Sequence, residues 1–233
     1  MKRREKRPKK RAFFLSALHK ISGHPRHSIY WPLVPPTAMN GWFLDGENGE
    51  VKLRRDLPIP SAAKGWAVVQ VTYAGVCATD LQMINGYKGG FSGCLGHEFV
   101  GRIHALQDAD QQQSSPLTVG QRVVGEINIP CRKNDCGVCQ GPDRIAARSH
   151  CPSRACLGIW QHNGAFAQYL TLPLANLFPI DDAVPDKVAV FTEPLAAACR
   201  ILEQEGRKES CFIYEYVQVF SRRPPGYLNQ NPR

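Results

Sequence analysis

A chain of 233 residues, 43% of them hydrophobic and 21% charged, is long enough for one or two domains with a real core. Its formal charge of +9 belongs to residues 1–38, which hold ten Lys or Arg against one acid, Glu5; residues 39–233 balance at 19 basic and 19 acidic. This argues against a nucleic-acid-binding face on the body, and no run approaches the ~20 apolar residues of a transmembrane helix.

The chain opens MKRREKRPKKR, with eight basic side chains between positions 2 and 11. Like charges at that density repel and bury nothing, so residues 1–38 are expected to be a disordered arm. Nuclear import, organelle targeting, an anionic anchor, or an extension upstream of a natural start at Met39 are the alternatives. AFFLSAL (12–18) lacks the small-residue cleavage site of a secretory signal. Four of the nine cysteines fall between 131 and 151. Clustered thiols in a reducing compartment bind metal more often than they pair, so the expected location is the cytoplasm, with delivery elsewhere by the arm left open.

The globular part is expected over 39–204. WFLDGENGEVKLRRDLPIP reads as strand, turn and strand, turning at Asp45–Gly46 or Asn48–Gly49. WAVVQVTYAGVC (66–77) is a β-branched core strand delivering Cys77 at its end. LGHEFVGRIHAL (95–106) is the next strand, with His97 and Glu98 near its start. QDADQQQSSP (107–116) is a polar loop, and VGQRVVGEINI (119–129) a further strand with Gly120 in the turn before it. AFAQYLTLP (165–173) is a strand and LANLFPI (174–180) an extended continuation. Glu193–Pro194 opens a helix to about Gln204, because proline suits the first turn. Leu195, Cys199 and Leu202 give that helix one apolar face, and Gly206 ends it. The fold class is mainly β with some α. Short strands punctuated by Gly and Pro predict a partly closed barrel.

Two groups of residues carry metal chemistry. Cys77, His97 and Glu98 offer thiolate, imidazole and carboxylate, the side chains that hold zinc, and fewer than four protein ligands leave room for water or substrate. The residues between Cys77 and His97 rule out a local finger, so the fold must join them. Cys131, Cys136, Cys139 and Cys151 offer four soft thiolates, a closed and therefore structural zinc site, with Cys156 as a substitute for Cys151. Taken alone, Thr79 is a strand-end residue, Asp80 a turn cap and Glu193 a helix N-terminal carboxylate.

The order GVCATD (75–80), GHEFVG (96–101), VGQRVVGE (119–126), the four-cysteine lobe, GAFAQYL (164–170) and EPLAAA (193–198) resembles the zinc-dependent medium-chain dehydrogenase/reductase family. That family includes alcohol, sorbitol and threonine dehydrogenases, and the likeness runs from about Asn40 to Gln204. It implies a GroES-like catalytic domain that transfers hydride between an alcohol and NAD or NADP. It also implies a catalytic zinc on Cys77, His97 and Glu98, with Glu193 as fourth group because the segment reads TEPLAA. Thr79 resembles the family's proton relay, and Asp80 the carboxylate that orients the imidazole. The lobe departs from the family's tighter spacing, with four residues before its second cysteine and eleven before its last. Residues 85–91 and 160–163 border the pocket by position.

The expected partner is a small alcohol or carbonyl compound, with no membrane, and with a homo-oligomer or partner chain left open. The resemblance stops near Gln204. ESCFIYEYVQVF (209–220) reads as one strand, residues 205–233 form a divergent tail, and no G-x-G-x-x-G follows for a Rossmann half. The expectation is a truncated dehydrogenase. The rival is a non-catalytic zinc-binding interaction module. A nucleic-acid-binding zinc ribbon ranks last, since the lobe has no aromatic residue.

Overall fold

The computed structural model describes residues 37–87, 89–107, 117–142 and 149–204. Three sheets make the frame. β1 (Ala38–Leu44) pairs antiparallel with β2 (Val51–Pro58) and β4 (Gly93–Cys94). The largest sheet runs β10-β3-β5-β6-β11: β3 is Trp66–Gly75, β5 Glu98–Gln107, β6 Arg122–Gly125, β10 Tyr169–Pro173 and β11 Leu177–Pro179. The third joins β7 (Asn128–Ile129), β8 (Ala155–Leu157) and β9 (Gln161–His162). The sheets do not close on one another, which suits a partly open barrel of short strands. Four helices lie among these strands in the described residues: α1 (Ala78–Ile84), α2 (Gly137–Gln140), α3 (Asp186–Ala189) and α4 (Thr192–Gln204).

The main core packs between the sheets. Ala67 and Val69 of β3, Phe99 and Ile103 of β5, and Leu170 and Leu172 of β10 share one apolar cluster with Val123, Leu157 and Leu177. A strand with one wet face would alternate, but Ala67, Val68 and Val69 are all buried, as are Glu98, Phe99, Val100 and Gly101. These stretches are covered on both faces, by the core on one side and, at Val100, by a second cluster containing Ile180, Ala189 and Val190. Polar groups placed at the start of β5 are therefore shielded from water.

Several expectations shift by local physics. The first hairpin's turn takes in both candidates: Asp45 donates to the Glu50 carbonyl and accepts from the Gly49 N–H, and Gly49 holds φ +67°. The 119–129 stretch is two strands, broken at Glu126–Ile127 where the Glu126 carboxylate turns back to accept from the Asn128 backbone N–H. Residues 174–176 are a 3-10 turn rather than extended chain, and the buried Asn176 amide donates to the carbonyls of Glu126 and Asn128. Such a side chain staples two loops but needs a turn to aim it. The helix at Glu193–Pro194 is present as α4, with Cys199 buried. The basic arm, the loop at 108–116, the 209–220 stretch and Gly206 lie outside the described residues. No helix of the described residues is long and apolar enough to cross a membrane.

Candidate metal centre and cysteine lobe

The antiparallel register of β3 on β5 brings the first group together. Gly75 pairs with Glu98, so continuing that register two residues past each strand end sets Cys77 opposite Gly96, beside His97. The ladder slips twice, between Val68 and Val69 and between Val71 and Tyr73, and the Thr72 hydroxyl donates to the Val100 carbonyl at the second slip. The two slips leave His104 of β5 and Thr72 of β3 unpaired in turn, so the second restores the register of the first before the strand ends.

After β3 the chain turns into α1, with Cys77 as its N-cap. Thr79 and Asp80 thus sit in a helix's first turn, rather than in a strand end and a turn. The fully buried Asp80 carboxylate reaches back to accept the Cys77 N–H at 2.8 Å and crosses the site to accept the Gly96 N–H at 3.1 Å. The first contact is the return bond of a capping box. The second ties helix to strand. Gly96 itself holds φ +92°, and a Cβ there would stand 2.5 Å from the Phe166 ring, so only glycine lets the chain reach His97 this way.

The ligand atoms of Cys77, His97 and Glu98 lie within 4.8 Å of one another. His97 is 3% exposed, and its Nδ1 stands 3.5 Å from Asp80 Oδ1, a charge contact too long for a good hydrogen bond. Nδ1 is accordingly a buried nitrogen without a hydrogen bond. Burial would lower the His97 pKa, but Asp80, with help from Cys77 and Glu193, outweighs it and lifts the imidazole to about 9. Burial raises the Glu98 carboxyl, and the facing imidazole only partly offsets it. Gly75 gives Glu98 its room, since a Cβ there would run into the Glu98 carboxylate. Thr79 Oγ1 lies 3.7 Å from Cys77 Sγ.

Glu193 is not one of these mutually close ligand atoms. It occupies the first turn of α4, half-buried, near enough to feel the charges of His97, Glu98, Glu126 and Asp80. Its carboxyl is raised, first by burial and then by the surrounding acids.

The second group is complete. Cys131, Cys136, Cys139 and Cys151 also hold their sulfurs within 4.8 Å of one another, and Cys156 lies outside that set, in β8. The Cys131 N–H donates to Cys151 Sγ at 3.4 Å, and Cys131 Sγ is 3.8 Å from Cys139 Sγ. Burial opposes ionisation of Cys151, but the N–H and thiol donors of Cys131 and the Ser153 N–H outweigh it, bringing the thiol down to about 7. Cys139 is pushed up to about 12, by burial first. The eight cysteines of the described residues are unbridged. Arg132 holds φ +53°, turning the chain directly after Cys131.

An open cleft of about 400 Å³ is lined by Gly90, Phe91 and Ser92 on one side and by residues 160–163 on the other. Of the described residues among positions 85–91 named from sequence, Gly90 and Phe91 line it. Asn163, whose role the sequence hides, joins the walls: its Oδ1 accepts the Cys94 N–H at 3.0 Å. The signal for it was the Asn–Gly pair at 163–164, a turn former.

Residues 63–182 match the family described as the alcohol dehydrogenase GroES-like domain. An L-threonine 3-dehydrogenase from Stenotrophomonas maltophilia is 33% identical over 156 residues, covering 63% of this chain and 42% of that protein. A D-altritol 5-dehydrogenase from Agrobacterium fabrum is 31% identical over 178 residues, covering 74% and 48%. Among solved structures, a short chain alcohol dehydrogenase from Escherichia coli complexed with NADH aligns with a TM-score of 0.61 at 27% identity, over 72% of this chain and 46% of that one. The chain spans about half the length of the curated relatives it matches. With the matched family covering more than half of its residues, the chain belongs to the GroES-like domain family of alcohol dehydrogenases, the N-terminal domain of the zinc-dependent medium-chain dehydrogenases/reductases.

Proposed function

We propose that this chain is the catalytic domain of a zinc-dependent alcohol or polyol dehydrogenase, working with NAD or NADP as hydride partner. The observation that carries the reading is the convergence of Cys77, His97 and Glu98 on one point, in a family of dehydrogenases. The donor set fits zinc: one soft thiolate, one imidazole and one carboxylate, three protein ligands rather than four. The buried Nδ1 of His97 facing Asp80 fits as well, since a ligating imidazole keeps its other nitrogen on a carboxylate.

In this reading Cys77, His97 and Glu98 hold the ion, and Glu193 stands by as the fourth group, direct or through water. A zinc bound there supplies Lewis acidity toward the oxygen of an alcohol or carbonyl compound. Asp80 keeps the proton of His97 on Nδ1, leaving Nε2 for the metal. Thr79, beside Cys77 Sγ, carries the substrate's hydroxyl proton away from a site that water does not reach freely. Cys131, Cys136, Cys139 and Cys151 hold a second, structural zinc. The expected domain layout is a body over 39–204 flanked by the basic arm and a tail from 205.

Elemental analysis of the purified protein, with Cys77→Ala and Cys136→Ser variants, tests this. The expected result is two zincs per chain, each variant losing one. A folded protein free of zinc refutes the reading. One zinc, lost only in Cys136→Ser, refutes its catalytic half.

A further inference from the structure

A single arginine fastens the chain that runs from β11 into α3 and α4. The Ile180 N–H donates to the Arg122 backbone carbonyl at 3.1 Å, and Arg122 Nη1 donates to the Asp181 carbonyl at 2.8 Å. At the start of α3, Arg122 Nε donates to Asp186 Oδ1 at 2.9 Å, and Nη2 meets the same oxygen at 2.6 Å as an ion-pair contact rather than a hydrogen bond. The Arg122 side chain is 5% exposed, so water shares little in these contacts. A planar guanidinium held on two partners fixes direction as well as distance.

From Asp186 the chain reaches Glu193 without slack. The Ala189 N–H donates to the Pro185 carbonyl, that of Val190 to Asp186 and that of Phe191 to Val188. The Thr192 hydroxyl then donates to the Ala189 carbonyl at 2.7 Å, and the Leu195 N–H to the Phe191 carbonyl, so α3 and α4 are joined across residues 190 and 191. Ala189 and Val190 seat this elbow in the cluster that contains Val100 and Val124, and α4 lies against β5 and β6. Glu193 follows in the first turn of α4, close enough to feel the charges of His97 and Glu98. An apolar seat sets how deep the elbow sits but not how it turns, because hydrophobic contact has no direction. The Arg122–Asp186 pair supplies the direction. The neighbouring Arg102–Asp182 pair does not, since its side chains are 47% and 73% exposed and exposed pairs contribute little.

We propose that Arg122 is a positioning residue for Glu193: its ion pair with Asp186 sets where the first turn of α4, and with it the Glu193 carboxylate, stands beside Cys77, His97 and Glu98. The inference deepens the dehydrogenase reading, and rests on it for what Glu193 does there but not for where Glu193 is held.

Two measurements on the full chain test this, each on Asp186→Ala, on the milder Arg122→Met, and on Asp182→Ala as the exposed control. The first is the residual dipolar couplings of the backbone amides in the protein as purified, which report orientation and not stability. In Asp186→Ala and Arg122→Met the α4 couplings are expected to shift while those of β3 and β5 still fit one alignment; in Asp182→Ala none should shift. The second is the visible absorption of cobalt(II) placed at the first group with zinc kept in the lobe. Both buried-pair variants should move that band toward the one given by Glu193→Gln, and Asp182→Ala should leave it in place. Unchanged α4 couplings in Arg122→Met overturn the proposal, and so does an equal shift in Asp182→Ala. It is also overturned if Glu193→Gln moves the cobalt band and neither buried-pair variant does. If cobalt(II) does not bind the first group, or Glu193→Gln leaves its band unmoved, the metal reading of that group or of Glu193 falls, and the couplings alone decide whether Arg122 holds Glu193 in place.

Discussion

Removing the Asp80 carboxylate tests whether a single buried side chain joins the two halves of the metal centre. Asp80 accepts N–H bonds from Cys77 at 2.8 Å and Gly96 at 3.1 Å and faces His97 Nδ1 at 3.5 Å, all without exposure to solvent. Asp80→Ala strands two N–H donors in the interior, each at a cost of about 1–3 kcal/mol, so a loss of about 4 kcal/mol is expected. Asp80→Asn keeps the shape and one accepting oxygen, but its NH2 meets an N–H head on. One charge-assisted bond is lost, about 2 kcal/mol. Urea unfolding of the metal-free proteins, followed by tryptophan fluorescence, should rank parent, Asn and Ala in that order. Zinc competition with a chromophoric chelator adds a second readout: on the proposed role of Asp80 beside the imidazole, its loss should weaken the first site by about 10–100-fold. The cysteine lobe, which Asp80 does not touch, should keep its zinc. Both variants unfolding within about 0.5 kcal/mol of the parent would refute the tie.

Further tests use other contacts. Gly75→Ala should push the Glu98 carboxylate out of the group with little change in fold, because what a Cβ meets there is chiefly the Glu98 side chain; the expected result is weakened zinc binding at that site in a protein whose unfolding midpoint moves only slightly. At the ion pair between β6 and α3, Arg122 is 5% exposed and Asp186 35%. Asp186→Ala leaves a buried guanidinium holding only the Asp181 carbonyl and should cost about 3 kcal/mol, whereas Arg122→Met leaves a carboxylate that water reaches and should cost about 1 kcal/mol. Equal costs in urea unfolding would show that burial does not set the asymmetry. For His162 the folded pKa lies below the ordinary 6.5, so the unfolded chain takes the proton first. Its contribution is complete above 6.5 and falls as pH drops below it. His162→Gln, which keeps an N–H for Thr171, should flatten that part of the stability–pH curve, and an NMR titration of the parent should place the His162 midpoint below 6.5.

Much of the frame was legible because it rests on local chemistry. The β-branched run at 66–75, the turn at 45–50 and the Glu–Pro helix start at 193–194 each carry their structure in neighbouring residues. The Cys77–His97–Glu98 group was legible through its motif order, and so was the cysteine lobe. What stayed hidden depends on contacts between distant segments. Helix α1 looks like a strand end because Gly-Val-Cys-Ala-Thr continues a β-branched run. A capping box between Cys77 and Asp80 closes its first turn, and the same Asp80 carboxylate accepts from Gly96, sixteen residues on. The 3-10 turn at 174–176 is set by Asn176 donating across to Glu126 and Asn128, nearly fifty residues away.

The same reasoning explains why the site sits where it does. A thiol, an imidazole and two carboxylates at the end of an ordinary half-wet strand would be solvated and would drift apart. Here the first four residues of β5 are buried on both faces, and residues 94–96 are clasped from the other side by 163–166. That clasp and the Asp80 bonds hold the backbone around Cys77 and His97. Moving either of these two devices moves groups whose own side chains are unchanged. Substitutions at Asn163 should therefore lower zinc affinity at Cys77 and His97 without touching either residue, and should leave the cysteine lobe alone. Asn163→Ala, compared with the parent for zinc released per chain as chelator is raised, reads this directly: the Cys77 zinc should leave first and the lobe zinc at an unchanged concentration. Both zincs leaving together would mean that the two sites share one unfolding event, and the clasp would then be a feature of global stability alone.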